Sequence, residues 1–319
     1  MLFSVLLLVA ILSYFWGVFS LNDQKKSIDK FVNKFQPQNQ LDQKYQDMLI
    51  RLDIDSGSLN ALAGIFARSG EFNKAIAIYL IALQKAITKS QKELIFLNLG
   101  KAYLKAGFMQ RSIEVFLEAI KISPKNIDAL SHHGRGFEKL RLYDKSLEVL
   151  DALQEQGVDV AQEIAYTKAL KLKNSQIEFE QKVAKMAKFA NDFKLVSRMI
   201  LELFIINDKD VNLINIKPDL AHCLDILYLN DAVLDGDEYK ELYSAKGQNQ
   251  TQINNFELKL LKTAKQNKIN ATLSFSYVCS KCKGTYPLFF YRCNHCARLG
   301  SCVIIPNLIK ENDEECISF

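Results

Sequence analysis

The feature that most restricts the fold is a tandem repeat. The stretch SLNALAGIFARSGEFNKAIAIYLIALQKAI (58–87) aligns with FLNLGKAYLKAGFMQRSIEVFLEAIKISP (96–124). Leu62, Ala63, Phe66, Gly70, Ala75, Tyr79 and Ala82 recur as Leu99, Gly100, Tyr103, Gly107, Ser112, Phe116 and Ala119. A third copy starts near Ile127 and fills the same slots with His133, Gly134, Phe137, Arg141, Ser146 and Leu150. Gly100 and Gly134 lie 34 residues apart, and Ala63 and Gly100 lie 37 apart. A unit of this length holds two helices, which cannot bury an apolar face alone and must stack on neighbours. The small residues Ala63, Gly100 and Gly134 let the two helices of a unit approach closely. Phe66, Tyr103 and Phe137 fill the gap beside them. Gly70 and Gly107 allow the turn between helices, and Pro124 ends its helix.

This is the pattern of a tetratricopeptide repeat. Glycine and proline are scarce, at 13 and 5 residues of 319, which also favours helix. A weaker fourth unit follows, with helices at 160–173 and 177–190, and degenerate helices at 193–206 and 218–229. Residues 41–52 read as a lone second helix, a cap on the array. Asp231 to Glu241 is acidic and reads as a solvated helix or loop. Residues 248–270 read as a helix leading into the C-terminal module.

Stacks of this kind usually bind protein segments. The first helix of each pair lines the inner side. Asn98, Lys101 and Lys105 in the second unit, and His132, Arg135 and Lys139 in the third, would then form a basic groove. Such a groove suits an acidic segment or a C-terminal carboxylate. A solvated helix face accounts for the same charges. His133 occupies a packing slot.

The stretch YVCSKCKGTYPLFFYRCNHC holds four of the seven cysteines, as Cys279-x2-Cys282-x10-Cys293-x2-Cys296. Two Cys-x-x-Cys turns can present four thiolates to one ion, and tetrahedral sulfur suits zinc, with iron possible. The module has too few residues for a core of its own, so the metal would supply much of its folding energy. Tyr277, Val278 and 286–291 read as short strands. Phe289, Phe290 and Tyr291 exceed what a small ribbon can use, so the module should dock on the helices. Cys302 and Cys316 read as free thiols, Cys223 as core, and His295 as a bystander that could replace a cysteine as ligand.

Residues 1–21 carry no charged side chain and are long enough to span a bilayer. No basic residue precedes the run, and its end is aromatic, which favours an uncleaved anchor over a signal peptide. Lys25, Lys26, Lys30 and Lys34 follow, which places the bulk of the chain in the cytoplasm by the positive-inside rule. Thiols stay reduced there. The expected organisation is an anchor at 1–21, a linker or frayed helix extension at 22–40, helical repeats at 41–270, and the metal ribbon with a tail at 271–319. The fold class is mainly α: a repeat superhelix with an N-terminal transmembrane helix and a small C-terminal zinc ribbon.

Anchor, repeats and four-cysteine ribbon, in that order, resemble the lipopolysaccharide assembly protein B family of Gram-negative bacteria. The likeness is sharpest at YVCSKCKGTYPLFFYRCNHC, whose spacing matches that family's rubredoxin-like ribbon. It is good from Leu59 to Ala190 and loose from Asp192 to Ser274. Two positions depart from the rubredoxin pattern. Lys283 stands where glycine is usual, with Gly284 after it, and Asn294 stands where proline is usual. Both should loosen the hydrogen bonds to sulfur without removing a ligand. The resemblance implies a non-enzymatic adaptor on the cytoplasmic face of the inner membrane that regulates lipid A synthesis. It implies as partners an FtsH-type protease and the lipid A deacetylase, and a ribbon held on the repeats by its metal. Residue by residue, only Cys279, Cys282, Cys293 and Cys296 carry over.

Two other readings remain open in the residues. Lys281, Lys283, Arg292 and Arg298 interleave with aromatics, as in a nucleic-acid-binding ribbon, although the anchor argues that no nucleic acid is bound. Four thiolates around iron would make a redox protein. No phosphate loop, Ser/His/Asp set or paired carboxylates point to an enzyme.

Overall fold

Helix caps divide the chain where the repeats predict. In the computed structural model, residues 26–35 and 42–310 are described. The apolar stretch 1–21 and the tail with Cys316 lie outside them. No helix among the described residues is long and apolar enough to cross a membrane.

Up to Asp159 the chain forms one unit of stacked helices. These are α1 (Gln43–Arg51), α2 (Ser56–Arg68), α3 (Phe72–Lys85), α4 (Lys89–Lys105), α5 (Met109–Ile122), α6 (Ile127–Lys139) and α7 (Tyr143–Glu155). Side chains of Asp55, Thr88 and Asn126 cap α2, α4 and α6. At Thr88 the cap is reciprocal, because Gln91 bonds back to the Thr88 amide. Each of these is the first helix of a pair, so the strong caps recur once per unit.

The turns within pairs share one device. Gly70 and Gly107 are left-handed, with φ of 85° and 88°. Arg141, in the same slot, is also left-handed at φ 58°. Close approach is visible at Gly100, where an added Cβ would sit 2.5 Å from the Phe116 ring. Leu59, Ala63, Leu99, Tyr103, Phe116 and Ala119 are fully buried.

Residues 26–35, in the segment expected to be a linker or frayed helix extension, are helical. Val32 and Phe35 are buried in the core of this unit. Phe31 stacks on Phe35 and meets Phe96 edge-on. The Tyr103 hydroxyl donates to the Phe35 carbonyl. Four apolar side chains at helical spacing, Ile28, Phe31, Val32 and Phe35, explain the packing of a stretch that is otherwise polar.

From Val160 a second unit combines helices with a sheet. Its helices are α8 (Ala161–Lys173), α9 (Phe179–Ala187), α10 (Leu195–Ile206), α11 (Leu224–Leu229), α12 (Lys240–Lys246) and α13 (Phe256–Gln266). Asp231, Asp235, Asp237 and Glu238 are exposed, as expected, while Leu234 and Tyr239 beside them are buried. The sheet contains β1 (Ala271–Cys279), β2 (Thr285–Tyr286) and β3 (Cys302–Lys310), in the order β2-β1-β3 and antiparallel throughout. The strands are longer than the sequence suggests: β1 and β3 pair over nine residues. Their alternation is masked by Pro306 and by polar Ser274, Ser276 and Asn307. Pro306 lies in an edge strand, where a missing amide is tolerated. The chain is thus mainly helical, with repeat-like stacked helices and a small C-terminal sheet that carries the four cysteines.

Candidate metal centre

Two tight turns bring the four sulfurs together. The first follows β1. The Cys279 amide donates to the Gly284 carbonyl and the Lys283 amide to the Cys279 carbonyl, both at 2.9 Å. The second repeats it fourteen residues on. The Cys293 amide donates to Arg298 at 3.0 Å, and the Ala297 amide to Cys293 at 2.9 Å. Lys283 and Ala297 are left-handed, at φ 61° and 59°. Lys283 adopts the conformation that glycine usually supplies, and its turn closes as its twin does.

The Sγ atoms of Cys279, Cys282, Cys293 and Cys296 all lie within 4.8 Å of one another. Cys279 and Cys296 are 3.6 Å apart, as are Cys282 and Cys293. A zinc–sulfur bond of about 2.3 Å sets a tetrahedral edge of ~3.8 Å. The spacing fits one ion with four thiolate ligands. It also exceeds any S–S bond, so the sulfurs are thiols and not disulfides.

Electrostatics prepare the same site. Burial raises the Cys279 thiol, but the Cys282 and Lys281 amides and the Ser301 hydroxyl outweigh it and bring it down to about 6. Burial also opposes ionisation of Cys293. The Cys296 and His295 amides and the Tyr286 hydroxyl, 3.2 Å from its sulfur, still hold it below the usual thiol range. Cys296 is pushed up to about 12, first by burial and then by its thiol neighbours. Cys282 is also raised, because contacts with Cys279 and Cys293 and desolvation outweigh the Gly284 amide aimed at its sulfur. Each 3.6 Å pair thus holds one sulfur shifted towards the thiolate and one shifted towards the thiol. A metal ion would displace the held protons, and the amides and the Tyr286 hydroxyl would then serve four thiolates. His295 lends its backbone amide to Cys293, and its imidazole is not among the clustered ligand atoms.

The aromatic residues dock this module on the helices of its own unit. The Phe289 ring lies 3.5 Å under the Arg198 guanidinium. Tyr291 packs on Tyr166, and Tyr228 on Phe275. At the centre, Arg198 of α10 grips Asp225 of α11 through two hydrogen bonds of 2.7 and 2.9 Å, and donates to the His222 carbonyl at 2.6 Å. The Tyr277 hydroxyl of β1 donates to Asp225 at 2.9 Å. Glu202 lies 3.3 Å from Arg198 and bonds Lys173. Arg198 and Asp225 are each 3% exposed. Sequence reading missed this network. Its signal was a lone Arg inside the apolar helix LVSRMILELFII, which must be paired if buried.

The expected groove residues occupy one row on the first helices. The Asn98 amide donates to Asn60 at 3.1 Å. Lys101 pairs with Asp128 at 2.9 Å. His132 stacks on Phe116, with centroids 5.3 Å apart, and burial among Arg135 and Lys101 lowers it to about 3, so it is neutral. The Arg135 Nε donates to the Ser131 carbonyl. Lys105 and Lys139 are exposed. His133 is buried against Phe137.

Parts of this chain are similar to known proteins. The tetratricopeptide repeat family matches residues 58–93. Lipopolysaccharide assembly protein B of Escherichia coli (strain K12) is 27% identical over 125 residues, which span 38% of this chain and 32% of that protein. BBSome complex member BBS4 of Bos taurus is 31% identical over 68 residues, or 21% of this chain and 13% of that protein. The chain therefore aligns with less than a third of either relative's length. A solved structure of MamA (MSR-1) superposes with a TM-score of 0.36 at 18% identity, covering 48% of this chain and 87% of the other.

Proposed function

We propose that this protein is a membrane-anchored interaction scaffold that regulates lipopolysaccharide synthesis from the cytoplasmic face of the inner membrane. The stacked repeats bind a protein partner along the row from Asn98 to Lys139. The ribbon holds a structural zinc ion through Cys279, Cys282, Cys293 and Cys296 and presents a basic surface. Between Leu258 and Lys310 there are nine Lys or Arg and no acidic residue. The anchor at 1–21 keeps both beside membrane enzymes and so raises their effective concentration. On this reading the client is the lipid A deacetylase, presented to an FtsH-type protease.

The observation that carries the proposal is the pairing of two features in one chain. One is a stack of helix pairs with no chemistry of its own in the row of polar residues. The other is a four-sulfur centre whose sheet is locked to helices by Arg198 and Asp225. Both serve to hold surfaces, and the distant likeness to lipopolysaccharide assembly protein B suggests which surfaces. The test is the lifetime of the deacetylase after protein synthesis is stopped, with and without this protein. A longer lifetime without it supports the adaptor reading. An unchanged lifetime removes the deacetylase as client.

A further inference from the structure

A fifth thiol faces the metal centre. Cys302 opens β3 and stands directly opposite Cys279 in the ladder. The Ser280 amide donates to the Ser301 carbonyl at 2.8 Å, so that neighbouring pair is the hydrogen-bonded one. The Cys279 amide points the other way, to Gly284. Cys279 and Cys302 are therefore a non-hydrogen-bonded pair, whose Cα atoms lie about 4.5 Å apart with side chains on one face. Disulfides span Cα separations of roughly 4.4–6.8 Å, so this pair can be bridged with little backbone movement. Both thiols are buried in one small cluster with Tyr277, Phe290, Cys293 and Ile304. The Phe290 amide is aimed at the Cys302 sulfur.

We propose that Cys302 is a resolving thiol, and that two-electron oxidation of the ribbon ends in a Cys279–Cys302 disulfide that takes one ligand from the metal. The oxidant is a small peroxide. Cys296 is half-buried and offers it an entry, and as a metal ligand it has already given up its proton. Peroxide transfers one oxygen to the Cys296 sulfur, leaving a sulfenic acid, and its other oxygen departs as water. The Cys279 sulfur, 3.6 Å away, displaces the new hydroxyl as a second water and forms a disulfide with Cys296. The Cys302 sulfur then attacks the Cys279 sulfur, and Cys296 leaves as thiolate. In sum, two thiols lose two electrons and two protons, and one peroxide becomes two waters. The ion is left with three thiolates and an open position, and a dithiol reductant restores the fourth.

The inference rests on the four-thiolate reading of the site, and the test separates the two. Zinc content of the full-length chain is measured first. The chain is then treated with hydrogen peroxide, alkylated and digested with trypsin. Cleavage after Lys268, Lys281, Lys283, Arg292, Arg298 and Lys310 places Cys279 in 269–281, Cys282 in 282–283, Cys293 and Cys296 in 293–298, and Cys302 in 299–310. The expected product joins 269–281 to 299–310, disappears on reduction, and accompanies loss of most Cys302 alkylation. The Cys302→Ser variant should stop at a link between 269–281 and 293–298. Cys302 that stays fully alkylated after the other cysteines have paired overturns the proposal. A chain that holds no zinc at the outset overturns the metal reading instead, and the same peptides still report the pairing.

Discussion

Lys283 and Ala297 occupy the two positions in the metal ribbon where an L-residue is least comfortable. Both are left-handed, and both follow the second cysteine of a turn. A side chain in this region costs about 1–2 kcal/mol, part of which glycine gives back as greater freedom in the unfolded chain. Lys283→Gly and Ala297→Gly should each stabilise the ribbon by about 0.5–1 kcal/mol, read as slower zinc loss to a competing chelator. Arg141→Gly, in the turn between α6 and α7, should show the same sign by urea unfolding. Position 141 was legible in the sequence because it aligns with Gly70 and Gly107. The left-handed state of Lys283 was not, because the nearby Gly284 looked like a displaced turn glycine. A different residue-scale property sets an acid response. His132 is half-buried and neutral, because desolvation lowers its pKa from the ordinary 6.5 to about 3. Below pH 6.5 the unfolded chain takes up a proton that the folded chain refuses, so stability falls as pH drops from there towards 3. His132→Leu should flatten that fall in a melting series, and an unchanged slope would show that other groups carry it.

At the scale of the element, the helix pairs depend on what is missing from a side chain. Gly100 of α4 faces Phe116 of α5, and a Cβ there would meet the ring at 2.5 Å. Gly100→Ala must push the two helices apart or turn the ring, at a cost of about 1–3 kcal/mol. Urea unfolding should show a lower midpoint, and the smaller Phe116→Leu placed beside it should recover part of the loss. This contact was readable because three aligned copies carried Ala63, Gly100 and Gly134 in one slot. Repetition multiplies a weak signal. The sheet had no such help. β1 and β3 were underestimated because one face of each carries serine, threonine or asparagine beside aliphatic residues, and Pro306 interrupts the apolar run. The helix at 26–35 was hidden differently. Its apolar residues are interleaved with lysine, serine, aspartate and asparagine, and its partners, Phe96 and Tyr103, lie more than sixty residues away.

Across the whole molecule, the two units should answer differently to loss of the metal. The unit ending at Asp159 is held by contacts among neighbouring helices, packed without any cysteine ligand. In the unit beginning at Val160, β1 leads straight into the four-sulfur centre, and Tyr277, two residues before Cys279, contacts Asp225. Chelation at neutral pH should therefore expose 271–310 to proteolysis while most helical circular dichroism persists. Cys293→Ser should do the same without chelator. Metal binding must expel the protons that Cys282 and Cys296 keep, so affinity should rise with pH across the neutral range. The Arg198–Asp225 pair then decides whether a folded ribbon stays docked. Removing one partner leaves a charge that is 3% exposed without its counterion, which typically costs about 3–5 kcal/mol. Arg198→Met should let the ribbon be cleaved although zinc remains bound at full stoichiometry. Combining it with Asp225→Leu removes the stranded carboxylate and should restore much of the protection. If the double variant is no better protected than Arg198→Met alone, the guanidinium matters for its stacking on Phe289 and its bond to the His222 carbonyl rather than for its ion pair.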